Sequence, residues 1–410
     1  MMTQTDARRQ VLVVGASLAG TRTVQGLRAL GHTGPVTLIG AESELPYDRP
    51  PLSKNLLKGA WSEPAAEGIR LATPAELDGL GVTLRLGVPA VDLDTVARLV
   101  RLADGTTVEY DVLVIATGAA ARPSPWRPVS GVHQLRTLAD ARALAERLAL
   151  GEPVVVVGGG FIGTEVAAAA VGHGCRVTVV DPLPEPMTRL VGPEIAGSLV
   201  DLHRRNGVST RFGVGVVGIE GKAGDLSVEL EGGERLMAST AVVGIGSVPA
   251  TDWLAGSGLR LDGGVVTDRF LRAQGAEDVY AIGDVARWPH PGRGVDVRAE
   301  HWTSASDQAR YVATALTNGV EEGYAPTDYV WSDQYDWKVN AFGWRDPAGT
   351  SIVVGEVSAD GRAAVVHADA DGIACGAVTV NWVRALNQAR RLLPAAPSAE
   401  SVAEVIRGLG

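Results

Sequence analysis

Residues 154–181, VVVVGGGFIGTEVAAAAVGHGCRVTVVD, leave this chain little freedom in how it folds. The four consecutive valines read as a strand buried on both faces of a parallel sheet. Gly158, Gly160 and Gly163 then spell G-x-G-x-x-G, an alanine-rich apolar helix follows, and a second strand over 176–180 runs into Asp181. The first glycines permit a tight turn and close approach of a pyrophosphate to backbone N–H groups. The helix N-terminus favours the negative charge, and Gly163 lets helix and strand pack closely. Asp181 stands where a carboxylate accepts hydrogen bonds from a ribose 2′-hydroxyl. Alone, a G-x-G-x-x-G is a weak signal. In register with strand, helix, strand and acid it is specific.

The device occurs twice. Residues 11–42, VLVVGASLAGTRTVQGLRALGHTGPVTLIGAE, again read strand, glycine turn, helix and strand. Gly15 and Gly20 frame the turn, Ser17 replaces the middle glycine, and the acid after the second strand is Glu42. Two dinucleotide folds imply two dinucleotides, and the natural pair is a flavin and a nicotinamide.

A length of 410 residues favours two or three domains. The net charge of −10 argues against nonspecific nucleic-acid binding. No apolar run is long enough to span a bilayer and the first residues, MMTQTDARRQ, lack an apolar signal region, so the expectation is no membrane and a cytoplasmic protein. The two cysteines, Cys175 and Cys375, lie far apart and form neither C-x-x-C nor C-x4-C, which excludes a dithiol relay.

Along the chain, YDRPPLSK at 47–54 suggests prolines pre-setting a helix, with Ser53 and Lys54 near its N-terminus. A lysine there opposes the helix dipole and calls for a specific partner. Residues 82–115 alternate as strands around a hairpin at 103–106, and VLVIATG at 112–118 is a buried strand ending in a small-residue turn. A proline-rich crossing and a helix over 139–150 lead into the central stretch. Beyond Asp181 come a helix over 193–206, short strands with a hairpin turn at 231–234, and AVVGIG at 241–246, which mirrors VLVIATG and marks a return to the first domain. YAIGD ends in Asp284, a carboxylate placed for a ribityl hydroxyl. After a helix over 304–318, the tail from about 320 reads as a small antiparallel sheet with helices near 382–393 and 402–406.

In this order, GASLAG, YDRPPLSK, VIATG, GGGFIGTE, VGIGSVP, YAIGD, EHW and WSDQYD resemble the oxygenase-coupled NADH–ferredoxin reductases, the group that includes putidaredoxin and rubredoxin reductases. The resemblance covers essentially the whole chain. It implies an α/β fold with two Rossmann-like dinucleotide-binding domains, for FAD and NAD, in a glutathione-reductase-like arrangement, plus a C-terminal α+β domain. The FAD domain would comprise 1–118 and 241–318, the NAD domain 119–240 and the C-terminal domain 319–410. Gly15, Ser17 and Gly20 would cradle the pyrophosphate of noncovalent FAD. Glu42 would meet its adenosine ribose, Arg49 would lie against it, Asp284 would hold the ribityl chain and Trp331 would shield the isoalloxazine. Lys54 would approach the reactive edge of that ring, paired with Glu165. Gly158, Gly160 and Gly163 would hold the NADH pyrophosphate, with Asp181 on its ribose. Asp181 would repel a 2′-phosphate, although Arg176 and Arg189 lie near in sequence.

The reaction implied needs neither nucleophile nor metal. Hydride passes from NADH to FAD, and electrons leave singly for an acidic 2Fe–2S ferredoxin, in a transient complex, that feeds an oxygenase such as a cytochrome P450. An acidic reductase would dock such a partner through a local basic patch, for which Arg310, Lys338 and Arg384 are candidates. The alternatives on the same fold are an NADH oxidase or rubredoxin reductase, and an apoptosis-inducing-factor-like flavoprotein whose NADH binding alters partner interactions. The absence of cysteine between 43 and 174 argues against the oxidases, and the sensor would be favoured by long insertions in the third domain, which the short tail does not offer.

Overall fold

The computed structural model describes residues 8–326, 328–358 and 361–410, except the side chains at 189 and 190. The expectation attached to Arg189 therefore lies outside the described residues. Two compact units form, one from segments 1–48, 67–120 and 248–327, the other from 49–66, 121–247 and 328–410.

Strand β1 (Val11–Val14) opens the first unit, followed by helix α1 (Leu18–Ala29), β2 (Val36–Ile39), β3 (Thr83–Arg85) and β4 (Val112–Ile115). The second unit then contributes β5 (Val132–His133), α2 (Leu138–Leu148), β6 (Val154–Val157), α3 (Phe161–Gly172), β7 (Val177–Asp181), α4 (Pro193–Arg205), β8 (Ser209–Phe212) and β9 (Thr240–Val243). The chain returns to the first unit for β10 (Val279–Ala281) and α5 (Trp302–Thr317). It ends in the second with β11 (Tyr329–Gln334), β12 (Trp337–Gly343), β13 (Ser351–Gly355), β14 (Ala363–Ala368), β15 (Ala374–Val380), α6 (Val383–Leu392) and α7 (Ala399–Arg407).

Each unit is built on a parallel five-stranded sheet, ordered β10-β4-β1-β2-β3 in the first and β8-β7-β6-β9-β5 in the second. The central strands β1 and β6 are buried at every position, as their continuous apolar runs require. The likeness extends beyond βαβ. Each unit inserts a three-stranded antiparallel meander (Ala90–Asp94, Leu99–Leu102, Thr107–Glu109; Val216–Lys222, Asp225–Leu230, Arg235–Ala238) and then returns a strand, β4 or β9, beside its central strand, β1 or β6. The tail forms an antiparallel sheet, β11-β12-β15-β14-β13, with α6 and α7 packed on it.

Two expectations are corrected. The AVVGIG strand does mirror VLVIATG, but β9 pairs with β6 inside the second unit, Val154 opposite Thr240 to Val157 opposite Val243, and the chain changes unit only near 248. The reason is that a returning strand completes the sheet of the unit in which it arises. Residues 50–53 form only a 3-10 turn, and Lys54 joins it to a second one of three residues at 55–57. Single turns this short have little macrodipole, so the lysine does not meet the helix dipole expected.

Candidate dinucleotide sites and a buried charge pair

The two glycine loops have nearly the same geometry. Gly15 has φ +122° and Gly158 φ +109°, conformations that side chains rarely adopt. A Cβ at 15 would lie 2.1 Å from the Ala116 carbonyl oxygen, and one at 158 would lie 2.2 Å from that of Gly244. These contacts are with the residues just after β4 and β9, so the returning strands press on the loops. At Gly20 and Gly163 a Cβ would lie 1.9 Å from the carbonyl oxygens of Gly15 and Gly158. No side chain caps α1 after Ser17 or α3 after Gly160, whereas Thr137 caps α2 with a full capping box. The first N–H groups of α1 and α3 thus remain for an anion.

The acids differ. The Asp181 carboxylate is buried at the end of β7, accepting from the backbone N–H of Gly159 (2.7 Å) and of Leu183 (2.8 Å). It braces the loop while retaining acceptor capacity. Glu42 lies three residues beyond β2 and accepts from the Tyr47 hydroxyl. Asp284 sits in a short turn, Gly283–Val285, after β10.

Several buried donors in the first unit lack a partner among the described residues: Ser304 Oγ and Gln308 Nε2 on α5, and Thr21 Oγ1 on α1. Gln308 Oε1 accepts from the Gly283 N–H at 2.7 Å, so this glutamine stands beside the Asp284 turn. Unsatisfied buried donors are costly unless a polar ligand answers them. Together with the uncapped α1, they fit a large polar group such as FAD.

In the second unit, Lys54 Nζ lies 2.9 Å from Glu165 Oε2, with the lysine side chain 13 % and the glutamate 3 % exposed. Glu165 projects from the first turn and a half of α3, directly after the glycine loop. The Ser53 hydroxyl donates to the same carboxylate oxygen, and Ser332 Oγ lies 2.7 Å from the other. Arg49 donates to the Arg136 carbonyl oxygen. Trp331, on the opposite face of β11 from Ser332, stacks on Tyr329 with centroids 5.8 Å apart.

Sequence reasoning placed Ser53 beside Lys54 but gave it no partner, and missed Ser332, Gln334 and His203. Gln334 Nε2 donates to Thr164 Oγ1 (2.9 Å) and Ser332 Oγ (3.1 Å), and Gln334 Oε1 lies 2.8 Å from His203 Nε2. The available signal was alternation, since WSDQ places two polar residues on one face of a strand. Both cysteines are free and buried, and burial pushes each thiol pKa up, so neither is poised as a thiolate. Among the candidate docking residues, exposed Arg310 pairs with Asp307. Lys338 exchanges bonds with Asn381, three residues before Arg384 on α6.

A family model described as pyridine nucleotide-disulphide oxidoreductase matches residues 9–309, and one described as reductase C-terminal matches 329–405. The chain is 38% identical over 404 residues to the anthranilate 1,2-dioxygenase system ferredoxin–NAD(+) reductase component of Burkholderia cepacia, covering 97% of this chain and 98% of that protein. It is 39% identical over 350 residues to rhodocoxin reductase of Rhodococcus erythropolis, covering 85% and 81% respectively. Among solved structures, the covalent putidaredoxin reductase–putidaredoxin complex matches with TM-score 0.91 and 31% identity, over 97% of this chain and 96% of that one.

Proposed function

The chain belongs to the pyridine nucleotide-disulphide oxidoreductase family, and on that premise we propose that it is an NADH-dependent, FAD-containing ferredoxin reductase. The observation that carries this reading is the buried Lys54–Glu165 pair set directly behind a nicotinamide-type glycine loop in a chain without a dithiol. Bound FAD would accept hydride from NADH and release the electrons singly to a 2Fe–2S ferredoxin serving an oxygenase such as a cytochrome P450.

The chain's residues do the placing. Gly15, Ser17 and Gly20 at the uncapped start of α1 bind the FAD pyrophosphate, Glu42 its adenosine ribose and Asp284 the ribityl chain, with Arg49 and Trp331 against the cofactor. Gly158, Gly160 and Gly163 bind the NADH pyrophosphate, and Asp181 its ribose. A buried carboxylate there disfavours a 2′-phosphate, and Arg211 on the neighbouring strand is engaged by Glu234 at 2.9 Å, which supports NADH over NADPH. Lys54, held by Glu165, presents a fixed positive charge to the negative charge that arrives with the hydride. Functionally the chain divides into an FAD domain (to about 118, and from 248 to about 318), an NAD domain between them and a C-terminal domain beyond.

The partner is an acidic ferredoxin in a transient complex, met by Lys338 and Arg384. The protein works in the cytoplasm, where NADH is supplied and thiols stay reduced. Among the described residues no helix is long and apolar enough to cross a membrane. The test is anaerobic NADH-dependent reduction of a 2Fe–2S ferredoxin followed by cluster absorbance. Fast turnover that falls with rising salt is expected. A purified holoprotein that leaves the cluster oxidised overturns the reading, and turnover indifferent to salt overturns electrostatic docking.

A further inference from the structure

Behind Glu165 a chain of polar side chains runs through the second unit where apolar packing is the norm. Ser332 and Gln334 are fully buried, and His203 is 3 % exposed. Each contact has a defined direction. An ionised Glu165 only accepts, so Ser332 must donate to Oε1. Ser332 in turn accepts from Gln334 Nε2, whose second proton goes to Thr164, which itself donates to the Gly160 carbonyl oxygen at 2.9 Å. The Gln334 carbonyl then requires a proton on His203 Nε2. That leaves Nδ1 of the neutral ring as acceptor for the Tyr335 hydroxyl at 3.2 Å. Burial lowers the pKa of His203 and raises that of Tyr335, which favours this arrangement of protons.

We propose that Gln334, itself held by His203, is a positioning residue that aims the Glu165 carboxylate at Lys54 through Ser332. The charge pair is thereby tied to α4, β11 and α3 together. The amide of Gln334 interrupts any proton relay, so the chain orients groups and does not move protons. Gln334 also holds Thr164, so the glycine loop's first helical turn and the charge pair are set by one side chain. Burying five polar groups where leucine or valine would pack is costly unless the network is complete, and here each member finds its partner. The inference rests on the reading above that the Lys54–Glu165 pair serves hydride transfer.

The chain has four lysines, Lys54, Lys58, Lys222 and Lys338, so Lys54 is resolvable by NMR in lysine-labelled holoprotein and assignable with Lys54→Arg. Gln334→Leu and the milder Ser332→Ala should both move the Lys54 signal toward its position in Glu165→Gln. Both should slow anaerobic bleaching by NADH about tenfold, the loss expected for a hydrogen bond to a charged group. Ser332→Ala added to Glu165→Gln should cost nothing further, because both act on the same carboxylate. An unmoved Lys54 signal in both single variants, or additive losses in the double variant, overturns the proposal. If the unsubstituted holoprotein is not bleached by NADH, the functional reading fails instead, and the Lys54 signal still decides the positioning role.

Discussion

The two dinucleotide folds differ where their shared architecture leaves them free to. Both have a parallel sheet, a first glycine pressed against the carbonyl beyond a returning strand, and a third glycine against the first. Those contacts are demands of the backbone, and the two loops meet them almost identically. Two residues after the third glycine the units part. The first carries Arg22, half-buried and bonded to Gln25 at 2.9 Å, while the second carries Glu165, buried and paired with Lys54. The acids part too, since Glu42 accepts from the Tyr47 hydroxyl whereas Asp181 braces its own loop. A cofactor that stays bound needs a cradle. A reductant that arrives and leaves needs a cradle with a charge held ready beside it.

The largest effects should come from breaking each cradle. Gly15→Ala places a methyl group where no side chain fits, and should yield protein without FAD or without a fold, read by absorbance after gel filtration. Gly158→Ala should leave FAD in place and cut the rate of bleaching by NADH roughly a hundredfold. Equal loss of FAD in both variants would erase the distinction between the units.

A smaller effect should follow Asp181→Ala. The Gly159 and Leu183 N–H groups lose their acceptor, and the NADH concentration for half-maximal bleaching should rise about tenfold. A smaller change against NADPH than against NADH would confirm the carboxylate as the ribose reader.

The smallest contrast concerns acid. In the second unit burial lowers the pKa of His133 and His203 and brings that of His367 down to about 4. A histidine whose folded pKa is depressed contributes stability that is present above about pH 6.5 and lost as pH falls toward the folded value. For His367 the loss runs to about 1.4 kcal/mol per pH unit in that window. Hydrogen exchange should therefore show the second unit opening progressively between about pH 6.5 and 4. His367→Asn should flatten that dependence.

The parallel sheets, both glycine loops and the antiparallel tail were legible because strand runs, glycines and turn signals are local. The position of β9 was not, since AVVGIG fits either sheet and only pairing chooses. Lys54 was singled out for a helix dipole it does not meet, because nothing local distinguishes a 3-10 turn after two prolines from a helix. Glu165 and Lys54, 111 residues apart, came together only through family resemblance. Ser332 and Gln334 were visible as polar residues on one face of β11, but a strand pattern does not say what its buried face meets.

The most direct measurement is anaerobic rapid mixing of NADH with the unsubstituted holoprotein and with Lys54→Ala, both carrying a full complement of FAD. Bleaching should be fast in the first and slower by about a hundredfold in the second, with FAD retention unchanged. Equal rates in the two proteins would contradict it, because the charge held beside the second cradle would then have no part in receiving the hydride.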